Sequence, residues 1–117
     1  MKATASKTRL RRQSIAAEIA RVADDIAARF RPRKIVLFGS HAGGKATADS
    51  DVDLLVVFSS RQPRDASVRI RRELECDFPM DLIVIDEARL TQRLAWKDFF
   101  LTEIMEGGKV LYESART

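Results

Sequence analysis

Two short, wholly apolar runs flank a polar, glycine-containing stretch: IVLF at Ile35–Phe38 and LLVVF at Leu54–Phe58, within IVLFGSHAGGKATADSDVDLLVVF. Runs of this length, too short for buried helices and rich in β-branched residues, read as strands covered on both faces. The loop between them is therefore held at one end of a sheet. Gly39 and Ser40 open it, and a ten-residue spacer leads to Asp51-Val52-Asp53. Alternate side chains of a strand share a face, so Asp51 and Asp53 point the same way while Val52 points into the core. Two carboxylates held this close repel each other and call for a cation between them. Oxygen-only ligands suit Mg²⁺ or Mn²⁺ better than zinc.

The remaining sequence alternates helical and extended patterns. Ile15, Ile19, Val22, Ile26 and Phe30 recur at helical spacing, with Ala16, Ala20, Ala23 and Ala27 widening the stripe, until Pro32 forbids continuation. Val52–Phe58 is the most apolar strand. Asp65 is placed to cap a second helix that runs until Phe78-Pro79. Met80–Ile85 forms a third strand with Asp81 at its mouth, repeating the acid-then-apolar pattern of the second. Helices are expected over 87–97 and 98–106, the latter stopped by Gly107-Gly108, and Val110–Tyr112 reads as a fourth, edge strand. Strands alternating with helices in 117 residues argue one α/β domain with a single core. Residues 14–117 are assigned to that domain and 1–13 to a basic, flexible arm, disordered over 1–8.

Composition excludes several classes. No apolar run approaches the roughly 20 residues of a membrane span, and the N-terminus lacks the apolar centre of a signal peptide. Cys76 is the only cysteine, so an internal disulfide is excluded, which fits a reducing, cytoplasmic location. The net charge of +4 is uneven: residues 1–34 hold ten basic side chains against three acidic ones, +7, which leaves −3 for the rest. Such an arm would meet nucleic acid, an acidic partner surface or water, and charge alone does not choose.

Gly39-Ser40 lies where a strand turns, so main-chain N–H groups there can face an anion, with the Ser40 hydroxyl as a further donor. If the second and third strands are neighbours, Asp81 falls beside Asp51 and Asp53, and with two divalent ions the cluster suits in-line phosphoryl-type displacement. GSHAGGKA nearly matches the phosphate loop of P-loop ATPases, but Ala46 offers no hydroxyl to Mg²⁺ and TADSDVD opens no amphipathic helix.

The G-S pair, ten-residue spacer, D-x-D and later aspartate resemble the polymerase-beta-like nucleotidyltransferase superfamily. The small size and the ending IMEGGKVLYE resemble its minimal branch. The likeness spans about Ile15 to Glu113 and implies a mixed α/β (α+β) sheet of about four strands with packed helices. It further implies that Gly39 and Ser40 hold the β- and γ-phosphates of ATP, that Asp51 and Asp53 ligate two Mg²⁺ (or Mn²⁺) ions, and that Asp81 ligates the metal nearest the acceptor and helps activate it. The family often carries arginines after Gly-Ser, in a pattern like G-S-R-A-R-G. Here His41 and Gly43 stand in those positions, while Gly44 matches the glycine. His41 and Lys45 are the candidates to supply the missing donor and charge, and a less positive pocket would bind triphosphate more weakly.

Minimal members are commonly encoded beside a helical HEPN ribonuclease toxin, which they silence by adding AMP to a tyrosine. The resemblance therefore implies a HEPN partner and an antitoxin role. Neutralisation by contact alone and transfer to a small molecule such as an antibiotic are the alternatives, and self-association is left open. Trp96, Phe99, Phe100 and Leu101 would mark an interface if exposed, or a helix packed on the sheet if not.

Overall fold

The computed structural model describes residues 4–47, 50–59, 65–74, 76 and 78–115, with side chains described from Ile15 onward. Helix α1 spans Thr4–Phe30, strand β1 Lys34–Phe38, β2 Val52–Phe58, α2 Ala66–Glu73, β3 Met80–Asp86, α3 Glu87–Ala95, α4 Phe99–Gly107 and β4 Lys109–Glu113. The four strands form one mixed sheet in the order β3-β2-β1-β4. β1 runs antiparallel to β2 and β4, and β2 runs parallel to β3.

The double-faced apolar character of β2 follows from its central place. Val52, Leu54 and Val56 pack with Ile19, Val22 and Ile26 of α1 and Ile70 of α2. Leu55 and Val57 pack on the other face with Leu90 of α3 and Leu101 and Ile104 of α4. Each such fully buried aliphatic side chain contributes about 1.5–3 kcal/mol relative to exposure. The sheet is thus covered by α1 and α2 on one side and by α3 and α4 on the other.

Element ends obey local chemistry, with four departures from the sequence expectation. Helix α1 begins at Thr4, so residues 4–8 of the stretch expected to be disordered are helical. It stops where Arg31 adopts a left-handed φ of 50° and donates its N–H to the Ala27 carbonyl at 3.1 Å, ahead of the buried Pro32. Asp65 occupies the N-cap position of α2, but its side chain caps nothing. That helix ends at Glu73 rather than at Phe78-Pro79, because Leu74 turns extended and enters the core. Gly108 closes α4 as expected, yet with φ −78°, so left-handed freedom is not the reason for a glycine there. A Cβ at Gly108 would collide with the Ile104 carbonyl and with Val36 of β1, so the glycine permits close approach of α4 to the sheet. Among the described residues no helix is long and apolar enough to cross a membrane.

Candidate active site

The parallel pairing of β2 and β3 sets Asp53 directly opposite Asp81. Leu55 and Val57, on the alternation of Asp53, pack toward α3 and α4, as do Ile83 and Ile85 on that of Asp81. Both carboxylates therefore emerge on that face, at the N-terminal mouths of their strands. They lie within hydrogen-bond reach of each other. Burial is the first cause that pushes the Asp53 carboxyl above its ordinary range, followed by the charges of Asp81 and Asp51 and the bond to Asp81, with His41 opposing weakly.

Gly39 completes the wall. It adopts φ +75°, and a Cβ there would strike the Asp53 carboxylate. Only glycine satisfies both demands, the left-handed turn and the contact. Gly39 to His41 form a 3₁₀ turn whose Gly39 carbonyl accepts from the N–H groups of Ala42 (3.2 Å) and Gly43 (3.1 Å). Lys45 donates its N–H to the Ser40 carbonyl at 3.0 Å. The N–H groups of Ser40 and His41 bond to no other described residue, so they remain donors for an anion.

The loop closes on itself through a side chain. His41 Nε2 donates to the Ser50 carbonyl at 3.3 Å, next to Asp51, while Ser50 Oγ accepts from the Thr47 N–H at 2.9 Å. His41 is thereby tied to the far end of the loop that carries Asp51.

The cleft beside the carboxylates has a volume of about 660 Å³, within the usual range for small-ligand sites. Phe38, Gly39, Asp53 and Asp81 line it together with Arg71, Phe100 and Glu103. Gly39, Asp53 and Asp81 are thus brought together. Asp51 precedes the first ladder residue, is exposed, and stands outside the cleft wall, though close enough for its charge to act on Asp53. Ser40 and Lys45 are exposed on the loop and do not line the cleft. The expected three-carboxylate cluster is therefore a tight pair with an outlying third. Among the described residues no group of three His, Cys, Asp or Glu converges closely enough to hold an ion as it stands.

Sequence reasoning missed Arg71, Phe100 and Glu103. Arg71 Nη1 donates to the Met80 carbonyl at 3.1 Å. Phe100 meets Phe38 edge-to-face, ring centroids 5.9 Å apart. The only signal for Phe100 in the sequence was its place in the aromatic stretch. Trp96, Phe99 and Phe100 of that stretch are exposed, while Leu101 enters the core.

A mixed four-stranded sheet with paired carboxylates beside a Gly-Ser turn defines a nucleotidyltransferase-type site. The family model described as "Polymerase beta, Nucleotidyltransferase" matches residues 19–117, and the chain belongs to that family. The chain is 32% identical over 84 residues to a protein of Methanocaldococcus jannaschii named "Putative protein adenylyltransferase", covering 72% of this chain and 82% of that one. It also shares its fold with a crystal structure titled as a putative nucleotidyltransferase from Sulfolobus solfataricus. The TM-score is 0.60 at 20% identity, over 97% of this chain and 90% of the other.

Proposed function

We propose that this chain transfers AMP from ATP to a hydroxyl of a partner protein. The observation that carries the reading is the in-register Asp53–Asp81 pair facing a cleft whose wall is the Gly39 turn. The Methanocaldococcus relative, named as a protein adenylyltransferase, supports a protein acceptor.

The donor set fits a divalent cation. Two carboxylates paired in register, one raised by desolvation and by its neighbours' charges, are relieved by positive charge between them. Asp51, Asp53 and Asp81 would hold Mg²⁺ or Mn²⁺, two ions in all, with Asp51 drawn in by the loop that His41 ties. When bound, the ions neutralise phosphate charge and act as Lewis acids. Ser40, through its N–H and hydroxyl, and the His41 N–H orient the β- and γ-phosphates. Asp81 accepts the proton of the acceptor hydroxyl. That oxygen bonds to the α-phosphorus, the bond from the α-phosphorus to the pyrophosphate oxygen breaks, and pyrophosphate leaves with its electron pair.

The acceptor is taken to be a helical HEPN ribonuclease encoded beside this chain, so that transfer silences it. Incubating the two proteins with Mg²⁺ and α-labelled ATP and weighing both intact tests this directly. An AMP increment on the neighbour is expected, and Asp53→Asn should reduce it at least about a hundredfold. Equal transfer by Asp53→Asn would overturn the site assignment. A readout apart from activity follows from the raised Asp53 carboxyl. Its destabilising effect is absent below the unfolded pKa and fully present once pH exceeds the folded one. Asp53→Asn should therefore raise the metal-free melting temperature at neutral pH and abolish the further rise that Mg²⁺ gives the unaltered chain.

A second reading is neutralisation by contact, with nucleotide absent or structural. It is favoured by the outlying position of Asp51 and by the His41 side chain bonding to Ser50. Under it, Asp53→Asn silences the partner as well as the unaltered chain does.

A further inference from the structure

Among the described residues β3 has a strand neighbour on one side only. The phase of its ladder follows from one bond. Val52 donates its N–H to the Pro79 carbonyl at 2.9 Å and lies opposite Met80. In a strand, the N–H and C=O of one residue face one neighbour, and those of the next residue face the other side. Asp81, Ile83 and Ile85 therefore bond to β2, while Met80, Leu82, Val84 and Asp86 turn their main-chain groups to the open edge. Met80 bears this out, since its carbonyl is the one that takes the Arg71 guanidinium. The edge groups of Leu82 and Val84 have no partner among the described residues.

A groove of about 540 Å³ touches Ile83, Val84, Ile85 and Asp86. Successive strand residues alternate faces, so a groove touching four in a row runs along the edge and not across a face. Arg89 and Arg93 of α3 and Phe100 of α4 also line it. The groove shares Ile83 and Phe100 with the cleft of Asp53 and Asp81, so the two adjoin and together trace a trough along β3 from Asp81 to Asp86. At about 3.3 Å per residue the trough is roughly 17–20 Å long, room for five or six extended residues.

The geometry points to this trough as the docking site for an extended segment of the acceptor polypeptide, added to the sheet as a fifth strand with one residue's hydroxyl at Asp81. This rests on the protein-acceptor reading above. The edge alternates donors and acceptors, which a polypeptide backbone matches and an acceptor-only phosphate chain does not. Phe100 offers the incoming strand an apolar contact at the junction of cleft and groove. Arg93 is already paired with Asp98 at 3.1 Å, whereas the Arg89 guanidinium has no acidic partner among the described residues. The segment should therefore carry an acidic residue at the end near Asp86.

The test uses the full ¹⁵N-labelled chain and a synthetic peptide of alternating Thr and Val, with Tyr at one end and Glu at the other. Binding should slow amide exchange at Leu82 and Val84 about tenfold or more and leave Ile83 and Ile85 little changed. Val84→Pro removes an outward N–H without touching the β2 ladder and should abolish binding. Arg89→Glu should weaken binding about two- to fivefold, and a Lys-ended peptide should restore it. Should Val84→Pro fail to fold, the Arg89 charge swap and the amide protection of the unaltered chain still decide. No binding, or binding without protection of Leu82 and Val84, overturns the proposal. So does protection that arises from chain concentration alone, from a second copy pairing at β3, or from single-stranded RNA in place of peptide. Mass analysis of the peptide separates the two readings. Protection without AMP on the tyrosine keeps the docking site and sinks transfer, while transfer untouched by Val84→Pro does the reverse.

Discussion

Gly39 shows how much a single residue can carry in this protein. Its φ of +75° lies where a Cβ is strained, and that Cβ would occupy the space of the Asp53 carboxylate. Gly39→Ala should destabilise the chain by about 1–3 kcal/mol, read as a lower urea midpoint. It should also remove nucleotide-dependent stabilisation, because the displaced carboxylate can no longer face Asp81. Retention of both would mean that the turn relaxes elsewhere. The sequence already held Gly39, Asp53 and Asp81, because a turn glycine and acids at strand mouths are local patterns. It did not hold Arg71, Phe100 or Glu103, which meet the site only through the packing of α2 and α4 against one end of the sheet. The Asp53–Asp81 contact lay between these cases, legible only on the condition that β2 and β3 adjoin.

At the scale of elements, α3 and α4 meet at Asp98, whose carboxylate accepts from the Leu101 N–H at 2.9 Å and from Arg93 Nε at 3.1 Å. The bond from Leu101 is the main cause that holds its carboxyl below the ordinary value, with Arg93 adding to it against the opposing effect of burial. The sign follows. A lowered folded pKa stabilises the protein above the unfolded pKa, and that stability is lost as pH falls through the folded value. Asp98→Asn should therefore melt several degrees lower than the unaltered chain at neutral pH, with the gap closing in acid. A gap that does not change with pH would show that the charge has no part in the cap. The start of α4 was legible to within one residue, but Asp98 read as part of the helix and not as its cap, whereas β2 keeps the bounds expected of it. The end of α2 was misplaced because the core, not Pro79, draws Leu74 out of the helix.

For the molecule as a whole, the mismatch between α1 and the sheet decides what the N-terminus can do. A 27-residue helix is about 40 Å long, against roughly 17–24 Å for strands of five to seven residues. The radius of gyration is 15.3 Å, above the roughly 13 Å of a compact chain of this length, and the longest extent is 53 Å. The described contacts of α1 with the core begin at Ile15, and Ile19, Val22, Ala23 and Ile26 supply its buried face. Residues 1–13 hold five of the basic side chains, Lys2, Lys7, Arg9, Arg11 and Arg12, and no acid. A chain beginning at Ser14 should then melt within about 3 °C of the full one and keep its response to Mg²⁺ and nucleotide. If the basic segment binds polyanions, changing Arg9, Arg11 and Arg12 to Ala should abolish an RNA mobility shift that weakens steeply with salt, leaving peptide docking at β3 unaffected. A large loss of melting temperature on truncation would instead assign residues 4–13 to the folded domain and move the boundary to the start of α1.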